Sequence, residues 1–267
     1  MNNFSQIVYS SLMIIAFIQH ISSSLGLIES ASKLANSLGK EFSVACIAPT
    51  PDEFNKLKTQ TEKLLSDNEI ITANIFQING INSIHTFCEE NEVSFLLMQL
   101  CETKSSGIQK MLTACRELRI PYLFYKDSFL PLQTEKIVLP VNFLEEEIEK
   151  AQFASAFGRF CQSEIIILQA NDYGSKATTT TARMMEFFDK FNLNVHVEKA
   201  HGDSFKVDKE SVSKAIELNA GLIIITASRE YGLDDILFGP TELHVVKKSN
   251  IPVLLVNPRA DLYALCD

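Results

Sequence analysis

The sequence predicts an α/β fold in which helices cover both faces of parallel sheets. Along all 267 residues, short apolar and β-branched runs alternate with segments of helical periodicity, which is typical of successive β-α-β units. The runs are apolar at consecutive positions, as expected of strands that are buried on both faces. The first and second halves of the chain also carry corresponding runs, which indicates an internal repeat.

Five strands are expected in each half of the chain. The first set is 12–18, 42–48, 73–78, 95–100 and 121–125, and the second is 136–141, 164–168, 195–198, 222–226 and 252–256. Ile14 and Ile137 are 123 residues apart, and Pro121 and Pro252 are 131 residues apart. The separation between corresponding residues therefore changes only slightly along the chain. Loop insertions in one of two copies of the same unit would produce such a change.

The repeat predicts two domains, residues 1–130 and 135–260. The boundary is expected within 127–135, where a proline and polar residues interrupt the apolar pattern.

The helices are easiest to predict in the second half. A helix over 144–161 opens with four glutamates, Glu145, Glu146, Glu147 and Glu149, which we interpret as a solvated helix start rather than a metal site. Thr178 to Thr181 are interpreted as a loop that enters a helix. The methionines and phenylalanines that follow, at 184, 185, 187 and 188, are expected in the core.

Composition and charge limit the classes of function. The chain is 46% hydrophobic and 21% charged, which excludes a disordered or coiled-coil protein. Only 10 of the 267 residues are glycine, and this fraction is about half of the usual ~7%. The shortage argues against glycine-rich phosphate loops. The net charge of −9 argues against a nucleic-acid partner.

The cysteines and the N-terminus predict a cytoplasmic protein. The six cysteines include no CxxC pair, and most lie in apolar runs, where they are expected to be buried and reduced. The apolar stretch 7–18 has no basic residue before it and is shorter than the ~20 residues of a membrane span. We therefore expect neither a signal peptide nor membrane association.

Segments of the second half resemble the universal stress protein family. They are KIVLPVNF at 136–143, GLIIITA at 221–227, YGL at 231–233, LFG at 237–239 and NIPVLLV at 250–256. The resemblance implies two Rossmann-like domains of the adenine nucleotide alpha hydrolase-like type. Each would have a five-stranded parallel sheet in the order 3-2-1-4-5, with a ligand crevice between strands 1 and 4.

Family members that bind ATP have an Asp after strand 1 and a Gly-x2-Gly-x9-Gly-Ser/Thr motif after strand 4. Here the Asp is replaced by Asn142, and Pro240 stands where Ser/Thr is expected, which removes an N–H donor. Only Gly239 matches a motif glycine. The candidate nucleotide-contacting residues are Asn142, Thr226, Arg229, Gly232, Gly239 and Thr241.

The first half departs further from the family motif. Gln19 occupies the Asp position, and the loop 101–107 is too short for the motif and holds one glycine. We therefore expect no nucleotide site in this half.

Other site chemistry finds little support in the sequence. None of the five histidines has metal-ligand spacing, so no metal site is expected. No GxSxG, P-loop or GxGxxG motif is present, and no catalytic residue can be named. A response-regulator interpretation fails because Asp203 lies one residue past the turn that should hold a phosphoacceptor.

The last strand of each half, 121–125 and 252–256, is an apolar edge in the implied topology. Exposed apolar edges invite pairing, and the resemblance implies that single-domain members dimerise through this strand. We therefore expect the two strands to lie against each other about a pseudo-twofold axis, which would pair the two domains within the chain. A homodimer and an unidentified protein partner are left open.

Together these expectations favour a non-catalytic stress-response binding or scaffold protein with no cofactor and no ATP in its crevices. One alternative is a nucleotide-binding stress switch that uses Asn142 near the adenosine and residues 226–241 near the phosphates. A second alternative is a sensor of another small ligand.

Overall fold

The computed structural model describes residues 12–101, 104–228 and 239–259. The strands in these ranges are β1 Met13–Ile18, β2 Glu41–Ile47, β3 Ile75–Ile78, β4 Val93–Leu100, β5 Tyr122–Lys126, β6 Lys136–Val141, β7 Glu164–Gln169, β8 Val195–Lys199, β9 Leu222–Thr226 and β10 Val253–Val256. The helices are α1 Leu25–Leu38, α2 Pro51–Asp67, α3 Ile84–Glu90, α4 Ser105–Cys115, α5 Glu149–Phe160, α6 Lys176–Asp189, α7 Val207–Glu217 and α8 Thr241–Lys248. All the predicted strands are present, with their ends shifted by two residues at most.

The ten strands form one sheet, in the order β3-β2-β1-β4-β5-β10-β9-β6-β7-β8. Each half therefore has the expected order 3-2-1-4-5, and neighbouring strands within each half are parallel. The expectation of two separate five-stranded sheets is wrong, because the halves are joined where β5 and β10 pair antiparallel. At this junction Leu123 lies opposite Leu254, and Phe124 opposite Val253.

The junction is explained by the sequences of its two strands. Both are buried along their whole length, so neither could remain as a solvated edge. Their pairing gives partners to backbone groups that would otherwise be unpaired. The pairing expected between 121–125 and 252–256 is thus present within the chain, with β3 and β8 at the outer edges of the sheet.

Helices cover both faces of the sheet, as the continuous apolar runs predict. In β1, Ile15 and Phe17 belong to one apolar cluster, while Ile14, Ala16 and Ile18 belong to another. The first cluster is completed mainly by α3, α4, α7 and α8, and the second by α1, α2, α5 and α6. The core therefore consists of two layers, one on each face of a sheet whose inner strands are buried, while the outer strands β3 and β8 are partly exposed.

Local sequence signals fix the helix ends. Thr50 and Glu53 form a capping box at the start of α2, in which each side chain accepts the other's backbone N–H (3.3 and 3.2 Å). Helix α1 ends at Gly39, whose φ of 61° is the left-handed conformation that glycine adopts without strain. In the part of the chain that the structure describes, no helix has both the length and the apolar composition needed to cross a bilayer.

The interpretation of Thr178 to Thr181 as a loop is wrong, because all four lie within α6. The hydroxyls of Thr179 and Thr180 donate to carbonyls four residues earlier, so the helix itself satisfies them. Tertiary burial of this face then outweighs the weak helix propensity of threonine. Met184 and Phe188 are fully buried, which confirms that this part of the stripe is core.

Candidate functional site

The topology places one crevice in each half. From β1 the chain proceeds to β2 on one side, while β4 lies on the other, and β6 has the same relation to β7 and β9. The connections that follow these neighbouring strands leave the sheet in opposite directions, so a gap opens between their carboxyl ends. One gap lies between β1 and β4, and a second lies between β6 and β9. A cavity of ≈ 320 Å³ lies at the second gap and one of ≈ 310 Å³ at the first.

The crevice of the second half is lined by an unusual number of acidic groups. Its lining residues are Asn142, Phe143, Leu144, Glu146, Glu147, Ser204, Phe205, Asp208, Thr226, Ala227, Ser228, Thr241 and Glu242. Glu147 and Glu242 are buried, with exposed fractions of 1% and 2%. Buried carboxylates at the floor of a crevice give it a negative potential, which is the opposite of what a phosphate site requires.

Asn142 and Glu147 are held together at the end of β6. The amide of Asn142 donates to Glu147 Oε1 (3.2 Å), and its Oδ1 accepts the backbone N–H of Leu144 (2.7 Å). The amide thus stabilises the turn after the strand and orients the carboxylate.

The second oxygen of Glu147 is paired with a buried lysine. Lys150 Nζ donates to Glu147 Oε2 and to the carbonyl of Pro140. Lys150 is completely buried, and the two residues are three apart at the start of α5. This ion pair lies under the crevice and neutralises one of its carboxylates.

Glu242 lies in the first turn of α8, at the end of the helix that faces the crevice. Its two carboxylate oxygens accept the backbone N–H (3.3 Å) and the hydroxyl (2.8 Å) of Ser228. A helix N-terminus attracts negative charge through its free N–H groups and its dipole. Here a carboxylate of the chain itself lies where an anionic ligand would approach.

Asp208, at the start of α7, is a further acidic group of this crevice and is only partly ionised at neutral pH. Burial raises the pKa of its carboxyl to about 7; the charges of Glu147 and Glu242 add to this increase, and those of Lys150 and Lys209 oppose it. Two buried polar atoms of the lining residues, Asp208 Oδ1 and Thr226 Oγ1, have no hydrogen-bond partner within the described ranges. They are the groups in this crevice that a bound molecule could satisfy.

The structure brings together three of the six candidate residues. Asn142, Thr226 and Thr241 line the same crevice. Gly239 lies just before α8 with a φ of 81°, and a Cβ there would collide with the Leu243 side chain at 2.4 Å. Arg229 and Gly232 lie outside the described residues.

The sequence pattern missed the acidic character of this crevice. The glutamates at 145–149 were interpreted as a solvated helix start, but Glu147 and Glu149 are buried. Glu149 accepts the backbone N–H of Arg259. A lysine three residues after Glu147, in the first turn of α5, is the signal that could have indicated a buried ion pair.

The crevice of the first half is bridged by two glutamines instead. Gln99 Oε1 accepts the backbone N–H groups of Gln19 (2.8 Å) and His20 (3.1 Å), and Gln19 Nε2 donates to the carbonyl of Gln99 (3.0 Å). Gln99 is fully buried. These bonds connect the ends of β1 and β4 directly, so neutral amides bridge the two strand ends beside the cavity.

The cavity of the first half opens beside this bridge. It is lined by Gln19, Ile47, Pro49, Asn79, Gly80, Ile81, Leu100, Cys101, Gly107, Lys110 and Met111. Helix α4 begins at Ser105, so only a few residues separate it from β4. Such a short connection leaves no room for a glycine-rich phosphate loop, in agreement with the sequence-based expectation.

Comparison with known proteins gives a family for the second half. Residues 133–257 match the model of the universal stress protein family. A search of curated proteins found no match.

Solved structures resemble nearly the whole chain. A universal stress protein from Archaeoglobus fulgidus DSM 4304 has a TM-score of 0.67 at 16% identity, over 94% of this chain and 98% of that one. A functionally unknown protein from Pseudomonas aeruginosa PAO1 has a TM-score of 0.65 at 17% identity, over 96% and 95%. The cytoplasmic domain of a prokaryotic cation chloride cotransporter has a TM-score of 0.57 at 11% identity, over 92% and 95%. At these identities the matches support the fold alone.

Proposed function

We propose that this chain is a tandem universal stress protein that acts in the stress response by binding, without catalysis, and that holds no ATP in its crevices. The premise is the family domain at 133–257. The observation that carries the proposal is the carboxylate of Glu242, which lies at the N-terminus of α8 and accepts both donors of Ser228.

Electrostatics supports the exclusion of ATP. Two like unit charges ~4 Å apart repel by roughly 4 kcal/mol at an effective dielectric constant of ~20, and a triphosphate carries several such charges. It would meet the carboxylate of Glu242 at the helix terminus. Glu147 and Asp208 also line the crevice, but Lys150 neutralises the first and the raised pKa of the second leaves it only partly ionised at neutral pH. Pro240, at the N-cap of α8, provides no N–H to offset this repulsion.

The tandem arrangement is supported by the equal strand order of the two halves and by their two equivalent crevices. A cytoplasmic location, an unidentified protein partner and the homodimer left open by the sequence belong to the same proposal.

The test is ATP binding by the purified full chain. We expect native mass spectrometry to find no carried nucleotide and calorimetry to give no binding heat at millimolar ATP. A wild-type chain that carries or binds ATP would support the nucleotide-switch alternative and overturn the proposal.

A variant tests the role of the carboxylate itself. Glu242→Gln keeps a hydrogen-bond acceptor for Ser228 but removes the charge, so we expect it to gain weak, millimolar ATP binding. Glu186→Gln, which changes an exposed carboxylate on α6, is the matched control and should gain none. If E242Q also binds nothing, the charge of Glu242 is not what excludes ATP.

A sensor of another small ligand is the second candidate. The unpartnered Asp208 Oδ1 and Thr226 Oγ1 favour it, because buried polar atoms are normally hydrogen-bonded. The cavity of ≈ 320 Å³ lies at the lower end of ligand pockets, which are ~300–1,000 Å³. A small molecule of fixed mass that stays with the protein in native mass spectrometry would support this candidate.

A further inference from the structure

Three potential metal ligands meet at the carboxyl edge of the first half. His20 follows β1, Cys101 follows β4 and Asp127 follows β5. Because β1, β4 and β5 are neighbours in the sheet, residues far apart in sequence converge at one point. The ligand atoms of the three side chains all lie within 4.8 Å of one another.

The spacing of the ligand atoms suits a tetrahedral ion. His20 Nε2 and Asp127 Oδ2 are 3.4 Å apart. Two ligands that bind zinc at ~2.0–2.2 Å with a tetrahedral angle are separated by about 3.4 Å. The imidazole and the carboxylate are therefore already spaced for a shared ion.

The surrounding side chains hold these ligands in place. Gln99 Nε2 donates to Asp127 Oδ1 (2.9 Å). It also lies 3.3 Å from His20 Nδ1, which accepts from it only in the tautomer that carries the ring proton on Nε2. Ser22 Oγ lies 3.1 Å from His20 Nδ1, where it can accept the N–H that an imidazole bound through Nε2 must carry. Such outer partners orient the ligands of protein metal sites.

We propose that His20, Cys101 and Asp127 form a binding site for a divalent transition-metal ion of the zinc type. A thiolate, an imidazole and a carboxylate together favour zinc over magnesium or calcium, which prefer oxygen ligands. Three protein ligands leave the fourth position open.

The open position is accessible. Cys101 lines the cavity of the first half, and His20 lines an adjacent cavity of ≈ 360 Å³. The side chains of His20 and Asp127 are 40% and 29% exposed. Water or a small ligand can therefore reach the ion from solvent.

A thiol–imidazole–carboxylate relay is the competing function for the same residues. In such a relay one ring nitrogen contacts the carboxylate while the other faces the thiol. Here Nε2 contacts Asp127, and Nδ1 is already in contact with Ser22 and Gln99. This arrangement favours convergence on an ion.

The test is a titration of the reduced, metal-free full chain with Co²⁺, followed by Zn²⁺. We expect one equivalent of Co²⁺ to bind at micromolar concentration with a thiolate-to-cobalt charge-transfer band, and Zn²⁺ to displace it. Cys101→Ser should lose that band, and His20→Gln and Asp127→Asn should each weaken binding at least ~10-fold.

The control is His85→Gln. His85 pairs with Glu89 at 3.5 Å but belongs to no such cluster among the described residues, so its variant should bind Co²⁺ as the wild type does. Circular dichroism verifies that each variant is folded. Should one unfold, protection of the Cys101 thiol from iodoacetamide by Zn²⁺ in the wild type provides an independent readout.

Three results would overturn the proposal: no stoichiometric Co²⁺ binding by the wild type, an unchanged cobalt spectrum in C101S, or rapid alkylation of Cys101 that Zn²⁺ does not slow. The last result would favour the relay. None of them depends on whether ATP binds in the second half.

Discussion

The crevice at the end of β6 is built from charged groups, whereas its counterpart at the end of β1 is bridged by amides. In the second half, Glu147 and Lys150 form a buried ion pair beneath the cavity. In the first half, Gln19 and Gln99 bridge the two strand ends with neutral hydrogen bonds. The same topology thus fixes where a crevice lies, while a few residues after each strand determine its charge and its contents.

The comparison also separates two different arrangements at equivalent places in the fold. The second half keeps an open cavity and places carboxylates in it. The first half has a cavity of similar volume (≈ 310 Å³), but a short connection leads to α4 and glutamine amides join the ends of β1 and β4. Three substitutions test this contrast.

The largest effect is expected from Lys150→Met. The change leaves Glu147 and the carbonyl of Pro140 buried without their cationic partner, so we expect a loss of about 3–5 kcal/mol in the free energy of unfolding. Urea denaturation monitored by circular dichroism measures it. Lys58→Met, in an exposed pair with Glu62, should change stability by less than ~1 kcal/mol. A loss below ~1 kcal/mol for K150M would show that Glu147 is not held as a buried charge.

A smaller loss is expected from Gln99→Leu in the other crevice. Leucine retains the bulk but leaves the N–H groups of Gln19 and His20 without their acceptor, so we expect a loss of about 2–3 kcal/mol. The same denaturation experiment measures it, with the exposed Gln60→Leu on α2 as control. Equal stability of Q99L and wild type would mean that the amide bridge does not hold the strand ends together.

The smallest effect is the pH dependence contributed by Asp208. Its pKa is about 7 in the folded chain, against 3.8 ordinarily, so the folded chain binds this proton more tightly than the unfolded chain. The resulting stabilisation is complete below pH ~4 and is lost as the pH rises through about 7.

Asp208→Asn should remove that loss. Relative to wild type, we expect D208N to gain roughly 1–3 kcal/mol in unfolding free energy between pH 5 and pH 8. Urea denaturation at the two pH values measures the difference. Asp189→Asn, at the exposed end of α6, should follow the wild type. A parallel pH response of D208N and wild type would show that Asp208 is ionised at neutral pH and that the acidic crevice is well solvated.

The strands were the most predictable part of the molecule, because a continuous apolar run requires burial on both faces. The contact between 121–125 and 252–256 was also predicted, from their apolar sequences together with the topology and the dimer contact that the family resemblance implied. The sequence did not predict that this contact would join the two sheets into one. An apolar edge strand that only packs against its neighbour has the same composition as one that forms backbone hydrogen bonds with it.

The site was less predictable for a physical reason. Position after a strand can be read from sequence, and this correctly placed Asn142, Thr226 and Thr241 in one crevice. Whether a glutamate is buried depends on a partner such as Lys150, which a pattern of solvated charges does not reveal. His20, Cys101 and Asp127 show no motif spacing, because only the strand order brings them together.

The junction between β5 and β10 also matters while the chain is being made. Its paired residues, such as Tyr122 and Leu255, lie about 130 positions apart. At a synthesis rate of roughly 5–20 residues per second, the ribosome needs on the order of 6–26 seconds to make the second strand after the first. Throughout that interval the apolar edge of β5 lacks its partner, so a nascent chain is most open to association with other nascent chains before β10 emerges.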